Sequence, residues 1–232
     1  MSARRDLFVA GTDTGVGKTV VSAALLRALR GRGLRVAGMK PVASGSEATP
    51  AGLRNEDALL LQAECSRPWP YEVINPLAFE PAIAPHIAAW ESGRGITAPP
   101  ILEALGQLRA DSDLVVVEGV GGFLVPLGEG LSGADLPGLL RLDVVLVIGL
   151  RLGCLNHALL SQEAIAQRGV RLVGWVGSLI DPAFERLTDN LDFLRRHLHA
   201  PCLGVLPRLP VKRRIERAAQ RLTLPELFPW DR

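Results

Sequence analysis

Six apolar, β-branched runs punctuate the chain: "LFVAG" (7–11), "LRVAGMK" (34–40), "DLVVVEG" (113–119), "DVVLVIGL" (143–150), "RLVGWVGSLI" (171–180) and "CLGVLP" (202–207). Their cores lack a regular apolar–polar alternation, the pattern of strands buried on both faces. Between them the apolar period lengthens. "KTVVSAALLRALRGRG" (18–33) sets Val21, Leu25 and Leu29 on one stripe and stops at Gly31 or Gly33, as a helix covering a sheet does. Further helices are predicted over 56–64, near 101–109, over 157–169 and over 181–198, the last capped by Asp181 and opened by Pro182. The Pro-rich stretch from Arg67 to Pro85 is the most loop-like, and the segment from Pro207 to the end is the next. Strands alternating with helices predict an α/β fold: a P-loop NTPase-like single domain over 1–232, with a mostly parallel central sheet and helices on both faces.

Composition narrows the partners more than the fold. The formal net charge is +2, which supplies no general attraction to nucleic acid or an anionic membrane. Small anions at local sites remain open. The four tryptophans are scattered and form no stacking array, so no nucleic-acid platform is expected. Cys65, Cys154 and Cys202 are odd in number and widely spaced, which supports neither disulfides nor a zinc site and fits a reducing cytoplasm. The apolar run near the N-terminus is too short for a signal peptide or a membrane span. None of the four histidines is assigned to catalysis or metal; His197 and His199 lie two apart and share no helix face. The basic cluster Lys212, Arg213, Arg214, Arg217 and Arg221 reads as a solvated helix face.

The chemistry begins at "GTDTGVGKT" (11–19). A P-loop of the form G-x-x-x-x-G-K-[ST] ending in Gly17-Lys18-Thr19 needs glycine at position 12, where this chain has Thr12. Strand, turn and helix nevertheless fall where phosphate oxygens would meet backbone N–H groups and a helix N-terminus. Lys18 adds charge, and Thr19 can ligate magnesium. Strand ends collect ligands in parallel sheets, and polar residues gather there. "GMKPVASG" (38–45) presents Lys40 and Ser44, "GLRNEDALLLQ" (52–62) places Asp57 at a helix start, and "VVVEGVGGFLVPL" (115–127) ends a strand at Glu118. Asp57 and Glu118 supply the two carboxylates that a hard cation demands, and Lys40 a second cation for a transferred phosphate. Asp57 can also cap its helix, with Asn55 or Glu56 serving equally well.

Taken in order, "GTDTGVGKT", "GMKPVASGSE", "TPAGLRNEDALLLQ", "INPLAFEPAIAPH", "VEGVGGFLVPL", "RLGCLNHALL" and "GWVGSLI" resemble dethiobiotin synthetase across roughly residues 7 to 180. The loop's odd spelling is that family's usual form. The resemblance implies a cytoplasmic, homodimeric ligase that uses ATP (or another NTP), 7,8-diaminopelargonate, CO2 or bicarbonate, and Mg2+. It implies Lys40 and Lys18 as catalytic residues. Nucleotide contacts would come from Gly15, Val16, Gly17, Lys18, Thr19, Val20, Asp57, Glu118, Gly119, Val120, Gly121, Ser178, Pro207, Arg208 and Leu209. Metal would be held by Thr19, Asp57 and Glu118. Substrate would meet Thr14, Lys40 and Ser44, and, from the neighbouring subunit, Gly153, Cys154, Leu155 and Asn156 around its carboxylate tail.

Two departures stand out. Ser178 occupies a position where the family often has an asparagine that reads adenine, so bidentate readout of the base is lost. Gly15 replaces an acid found in some members. Two rival classes share the loop style. A ParA/MinD-type switch ATPase carries a signature lysine where this chain has Asp13, and a cobyrinate or cobyrate amidation module normally has an attached glutaminase domain.

Overall fold

A computed structural model describes residues 6–128 and 130–224. The start of the N-terminal stretch, residues 1–5, and the end of the loop-like tail, residues 225–232, lie outside the described residues. The sheet strands are β1 Leu7–Gly11, β2 Val36–Met39, β3 Leu114–Glu118, β4 Asp143–Leu150, β5 Leu172–Leu179 and β6 Cys202–Leu206. All six pair in parallel, in the order β6-β5-β4-β1-β3-β2. The helices are α1 Lys18–Arg30, α2 Glu56–Glu64, α3 Tyr71–Ile74, α4 Pro85–Glu91, α5 Ala98–Ala110, α6 Leu136–Leu140, α7 Cys154–Gln167, α8 Leu187–His197 and α9 Arg214–Ala219. Parallel neighbours need crossovers, and the long helices supply them.

Side-chain alternation along the strands divides the core in two. Phe8, Ala10, Val115, Val117, Leu146 and Ile148 face one side, with Leu105 of α5, Ala158 of α7 and Leu194 of α8. Leu7, Val9, Leu114, Val116, Val145 and Val147 face the other, against Val21, Leu25 and Leu29 of α1 and Ala218 of α9. A strand covered on both faces therefore has no position left for a polar residue until its end. Glu118 is that end in β3. Alternation directs it to the α1 side, where the phosphate loop emerges from β1.

Three expectations are corrected. The helix proposed over 181–198 starts only at Leu187. The Asp181 carboxylate accepts from Ala183 N at 2.9 Å, so it closes a local turn around Pro182, and Arg186 at φ 54° then resets the chain. The helix proposed from His157 begins at Cys154, directly after Gly153 in a left-handed conformation. The stretch from Arg67 to Pro85 carries α3 and a two-residue parallel ladder, Leu77–Ala78 with Val42–Ala43, which fastens it beside Lys40. Propensity cannot reveal so short a ladder, because its stability comes from the neighbouring strand.

Candidate active site

The loop between β1 and α1 turns twice on left-handed glycines, Gly15 at φ 74° and Gly17 at φ 90°. Thr12 stands where the common motif needs glycine, and it acts as a fastener. Its N–H donates to Val147 O at 2.9 Å and its hydroxyl accepts from Gly149 N at 3.3 Å, tying the loop to β4. Gly11 could not be another residue cheaply, since a Cβ there would lie 2.9 Å from Val16 Cγ2 and 3.0 Å from Asp13 O.

Lys18 opens α1 and is buried. Its ammonium donates to Gly121 O at 2.6 Å and Asp13 O at 3.0 Å. Burial, reinforced by the nearby Lys40 charge, lowers its pKa to about 8. Lys40 follows β2, is 3% exposed, and donates to Glu118 Oε1 at 2.6 Å, Asp57 Oδ2 at 3.1 Å and Gly119 O at 3.3 Å. Burial opposes its charge, but the Glu118 and Asp57 carboxylates overcome that and raise its pKa. Lys40 is therefore held as a cation, while Lys18 sits near its titration point.

Asn55, not Asp57, caps α2: its Oδ1 accepts from Ala58 N at 3.3 Å. Asp57 is thereby released toward Lys40. Burial works against the Asp57 charge, yet Lys40 pulls its pKa below the usual carboxylate value. The one Thr19 hydroxyl proton is donated to Glu118 Oε1 at 3.0 Å. Glu118 is wholly buried, and its Oε2 has no hydrogen-bond partner, which leaves one hard oxygen for a ligand. Among the described residues no group of three or more His, Cys, Asp and Glu side chains could hold a metal. A cation here would rest on two carboxylates and a hydroxyl, the chemistry that a hard, largely water-ligated divalent ion tolerates.

The sequence-derived residues thus fall into several places. Lys18, Thr19, Lys40, Asp57, Glu118, Gly119 and Gly121 meet in one hydrogen-bonded cluster. Thr14 is exposed beside it, its Oγ1 3.6 Å from where a Cβ on Gly121 would sit. Gly15, Gly17, Val20, Ser178, Pro207, Arg208 and Leu209 line a neighbouring cavity of about 340 Å³. Val16 and Val120 instead pack their side chains into the core, so only their main chains can face a nucleotide. Ser44 is half-buried, its carbonyl 3.5 Å from Asn55 Nδ2. Gly153, Cys154, Leu155 and Asn156 form the start of α7, just past Arg151, which pairs with Asp13 of the loop. Cys154 is buried, burial raises its thiol pKa, and its N–H is already taken by Arg151 O at 3.0 Å.

Two residues escaped sequence reasoning. Arg151 pairs with Asp13 at 2.6 Å, bracing the loop from the end of β4. Arg214 lines the cavity and its Nε is buried without a partner, so it leaves the solvated face assigned to the basic tail. The other charges there, Lys212, Arg213, Arg217 and Arg221, are exposed as expected. Only the packing of α9 on α1 distinguishes Arg214 from its neighbours, and the local sequence has no signal for it. No helix among the described residues is long and apolar enough to cross a membrane.

Known proteins resemble this chain over most of its length. A family described as "AAA domain" matches residues 5–214. A protein of Xanthomonas campestris pv. campestris (strain 8004), named ATP-dependent dethiobiotin synthetase BioD, is 52% identical over 220 residues, 94% of this chain and 97% of its own. One of the same name from Pseudomonas paraeruginosa (strain DSM 24068 / PA7) is 55% identical over 203 residues, 87% of this chain and 89% of its own. Among solved structures, the septum site-determining protein MinD complexed with Mg-ADP from Pyrococcus horikoshii OT3 superposes with a TM-score of 0.55 at 14% identity, over 92% of this chain and 86% of that one. That likeness is one of P-loop NTPase fold alone. Relatives more than half identical over nearly nine-tenths of the chain or more settle the membership: the chain belongs to the ATP-dependent dethiobiotin synthetase family, ATP-using ligases of biotin biosynthesis.

Proposed function

We propose that this protein joins CO2 to 7,8-diaminopelargonate and closes the ureido ring of dethiobiotin, releasing ADP and phosphate. The observation that carries the reading is the meeting of two buried lysines, Lys40 bonded to the Asp57 and Glu118 carboxylates and Lys18 bonded to the nearby Gly121 carbonyl. One amine takes up CO2 as a carbamate. The carbamate oxygen attacks the γ-phosphorus of ATP, and the second amine then attacks the activated carbonyl and expels phosphate. Every species on this path is an anion beside other anions, so charge stabilisation is the main demand. Lys18 serves the triphosphate. Lys40 serves carbamate and γ-phosphate together, and its contact to the half-exposed Asp57 at 3.1 Å is the one an incoming anion can replace. Thr19, Asp57 and Glu118 would hold Mg2+, which supplies charge neutralisation on the phosphates.

Thr14 and Ser44 are assigned to the diamine or its carbamate. The start of α7, Gly153 to Asn156, is assigned to the substrate's carboxylate tail in a neighbouring subunit of a homodimer. Leu152 beside it is 90% exposed, as an apolar residue awaiting a partner chain would be. The 340 Å³ cavity is assigned to the base and ribose, with Ser178, Pro207, Arg208 and Leu209 in contact. A cytoplasmic location fits the three free cysteines. The test combines pure protein, Mg-ATP, bicarbonate and 7,8-diaminopelargonate and looks for the cyclic urea by mass spectrometry. Product that depends on all four supports the reading, and hydrolysis of ATP indifferent to the diamine ends it.

A further inference from the structure

Lys40 and Ser44 sit on one segment and Asp57 on another, yet one buried chain of side chains joins the two. Asn75 Nδ2 donates to the carbonyl of Lys40 at 2.7 Å, while Lys40 N donates to Ile74 O at 2.8 Å. The lysine's backbone is thus clamped from both sides. Tyr71 Oη donates to Asn75 Oδ1 at 2.9 Å and accepts from Asn55 N at 2.7 Å. Asn55 in turn caps α2, two residues before Asp57, and its Nδ2 lies 3.5 Å from the carbonyls of Ser44 and Gly45. Asn55, Tyr71 and Asn75 are each less than 10% exposed, and the Arg54 guanidinium covers the Tyr71 ring at 4.2 Å.

We infer that the Tyr71 hydroxyl is a positioning group: with Asn55 and Asn75 it sets the spacing between the Lys40 ammonium and the Asp57 carboxylate. The inference deepens the proposed reaction and rests on it. A lysine just past a strand end has a flexible four-carbon stem, and here its carboxylate partner rides on a different helix. Neither segment fixes the other through the sheet. The hydroxyl touches both halves at once, through a donor bond to Asn75 and an acceptor bond from Asn55. Removing it leaves the Asn55 N–H and the Asn75 carbonyl without this partner, in a place closed to water.

Tyr71→Phe keeps the ring, its packing and the Arg54 contact, and deletes only the hydroxyl. Turnover is expected to fall about tenfold, in line with the sensitivity of aligned groups to sub-ångström displacement, while KM for the nucleotide stays within about twofold because Lys18 and its loop are untouched. Leu194→Ala, in the core under α8, is the control: it lowers the melting temperature without changing kcat at 25 °C. Amide exchange is measured on the same proteins, and faster exchange over 40–46 and 56–60 is expected in Tyr71→Phe alone. An unchanged kcat overturns the inference, as does a loss matched by an equal rise in nucleotide KM. If the parent protein makes no cyclic urea, the proposed reaction falls, and exchange over the two segments decides the positioning role by itself.

Discussion

The two ends of the cleft are built differently. At the ends of β1, β2 and β3, Lys18, Lys40 and Glu118 are buried, and each is hydrogen-bonded to a group from a different segment. At the ends of β5 and β6 the cavity is walled by Gly15, Gly17, Leu179, Ile180, Pro207 and Leu209, with Ser178, Arg208 and Arg214 as its polar side chains. The first end is a fixed electrostatic device. The second is a shaped slot. Phosphoryl transfer tolerates little misplacement of charge, whereas a base needs a flat, mostly apolar space with a few hydrogen bonds. Substitutions at the first end should therefore act on turnover and folding by orders of magnitude, and at the second on affinity by small factors.

The largest effect is expected at Lys40. Removing one preorganised charge aimed at a developing anion costs roughly 10²–10³ in rate, and Lys40 faces both carbamate and phosphate. Lys40→Ala should form cyclic urea at least about 10³-fold more slowly, with nucleotide affinity largely kept. Product formed at the parent rate would place the chemistry elsewhere.

Next comes stability at the same end. Glu118→Ala leaves the Lys40 ammonium buried with the half-exposed Asp57 as its one remaining carboxylate partner and the Gly119 carbonyl. Stripping one partner from a buried pair costs about 3–5 kcal/mol, whereas replacing both by apolar groups is often neutral. Urea denaturation should show that loss for the single change. The double variant Lys40→Met, Glu118→Leu should regain most of it while remaining inactive. A single variant as stable as the parent would mean that the pair is solvated and the first end as loose as the second.

The fold was legible for a simple reason: strands buried on both faces have few sequence alternatives, and Asp143–Leu150 was read with the correct bounds. The cluster was legible because Lys18, Thr19, Lys40, Asp57 and Glu118 all sit at strand or helix ends, where polar residues among apolar runs are conspicuous. Their supports were not. Arg151 reaches Asp13 across 138 positions and Tyr71 reaches Asn55 across 16, and no local pattern announces a partner that tertiary structure delivers. The start of α8 was misread because Asp181-Pro182 satisfies a helix cap and a turn equally well, and Arg186 in the left-handed region decides between them.

A smaller effect belongs to the joint between the two ends. Lys18 has a pKa of about 8, because burial and the Lys40 charge disfavour its ammonium. A triphosphate binds the charged form and raises that pKa, so binding takes up a proton. Raising pH from 7 to 9 takes the charged fraction in the free protein from about 0.9 to about 0.1, so nucleotide affinity should weaken about tenfold. Lys40 contributes nothing to this window, since its pKa is raised. Calorimetry in buffers of different ionisation enthalpy would report the proton directly. Flat affinity across that range would show Lys18 fully charged, with the fixed end extending to the loop itself.

The smallest effect is expected at Ser178. Its hydroxyl lies against the loop, 3.0 Å from where a Cβ on Gly17 would be, and it offers the cavity one weak donor and acceptor. One neutral hydrogen bond is worth about 1 kcal/mol net, or roughly fivefold in affinity. Ser178→Ala should therefore weaken ATP by no more than about fivefold, and by a similar factor for GTP, because a rotating hydroxyl serves either base. Competition binding of the two nucleotides measures both numbers on one protein. A loss confined to ATP and approaching a hundredfold would mean that the slot reads adenine through this residue. The distinction between an end that fixes charge and an end that merely accommodates shape would then fail.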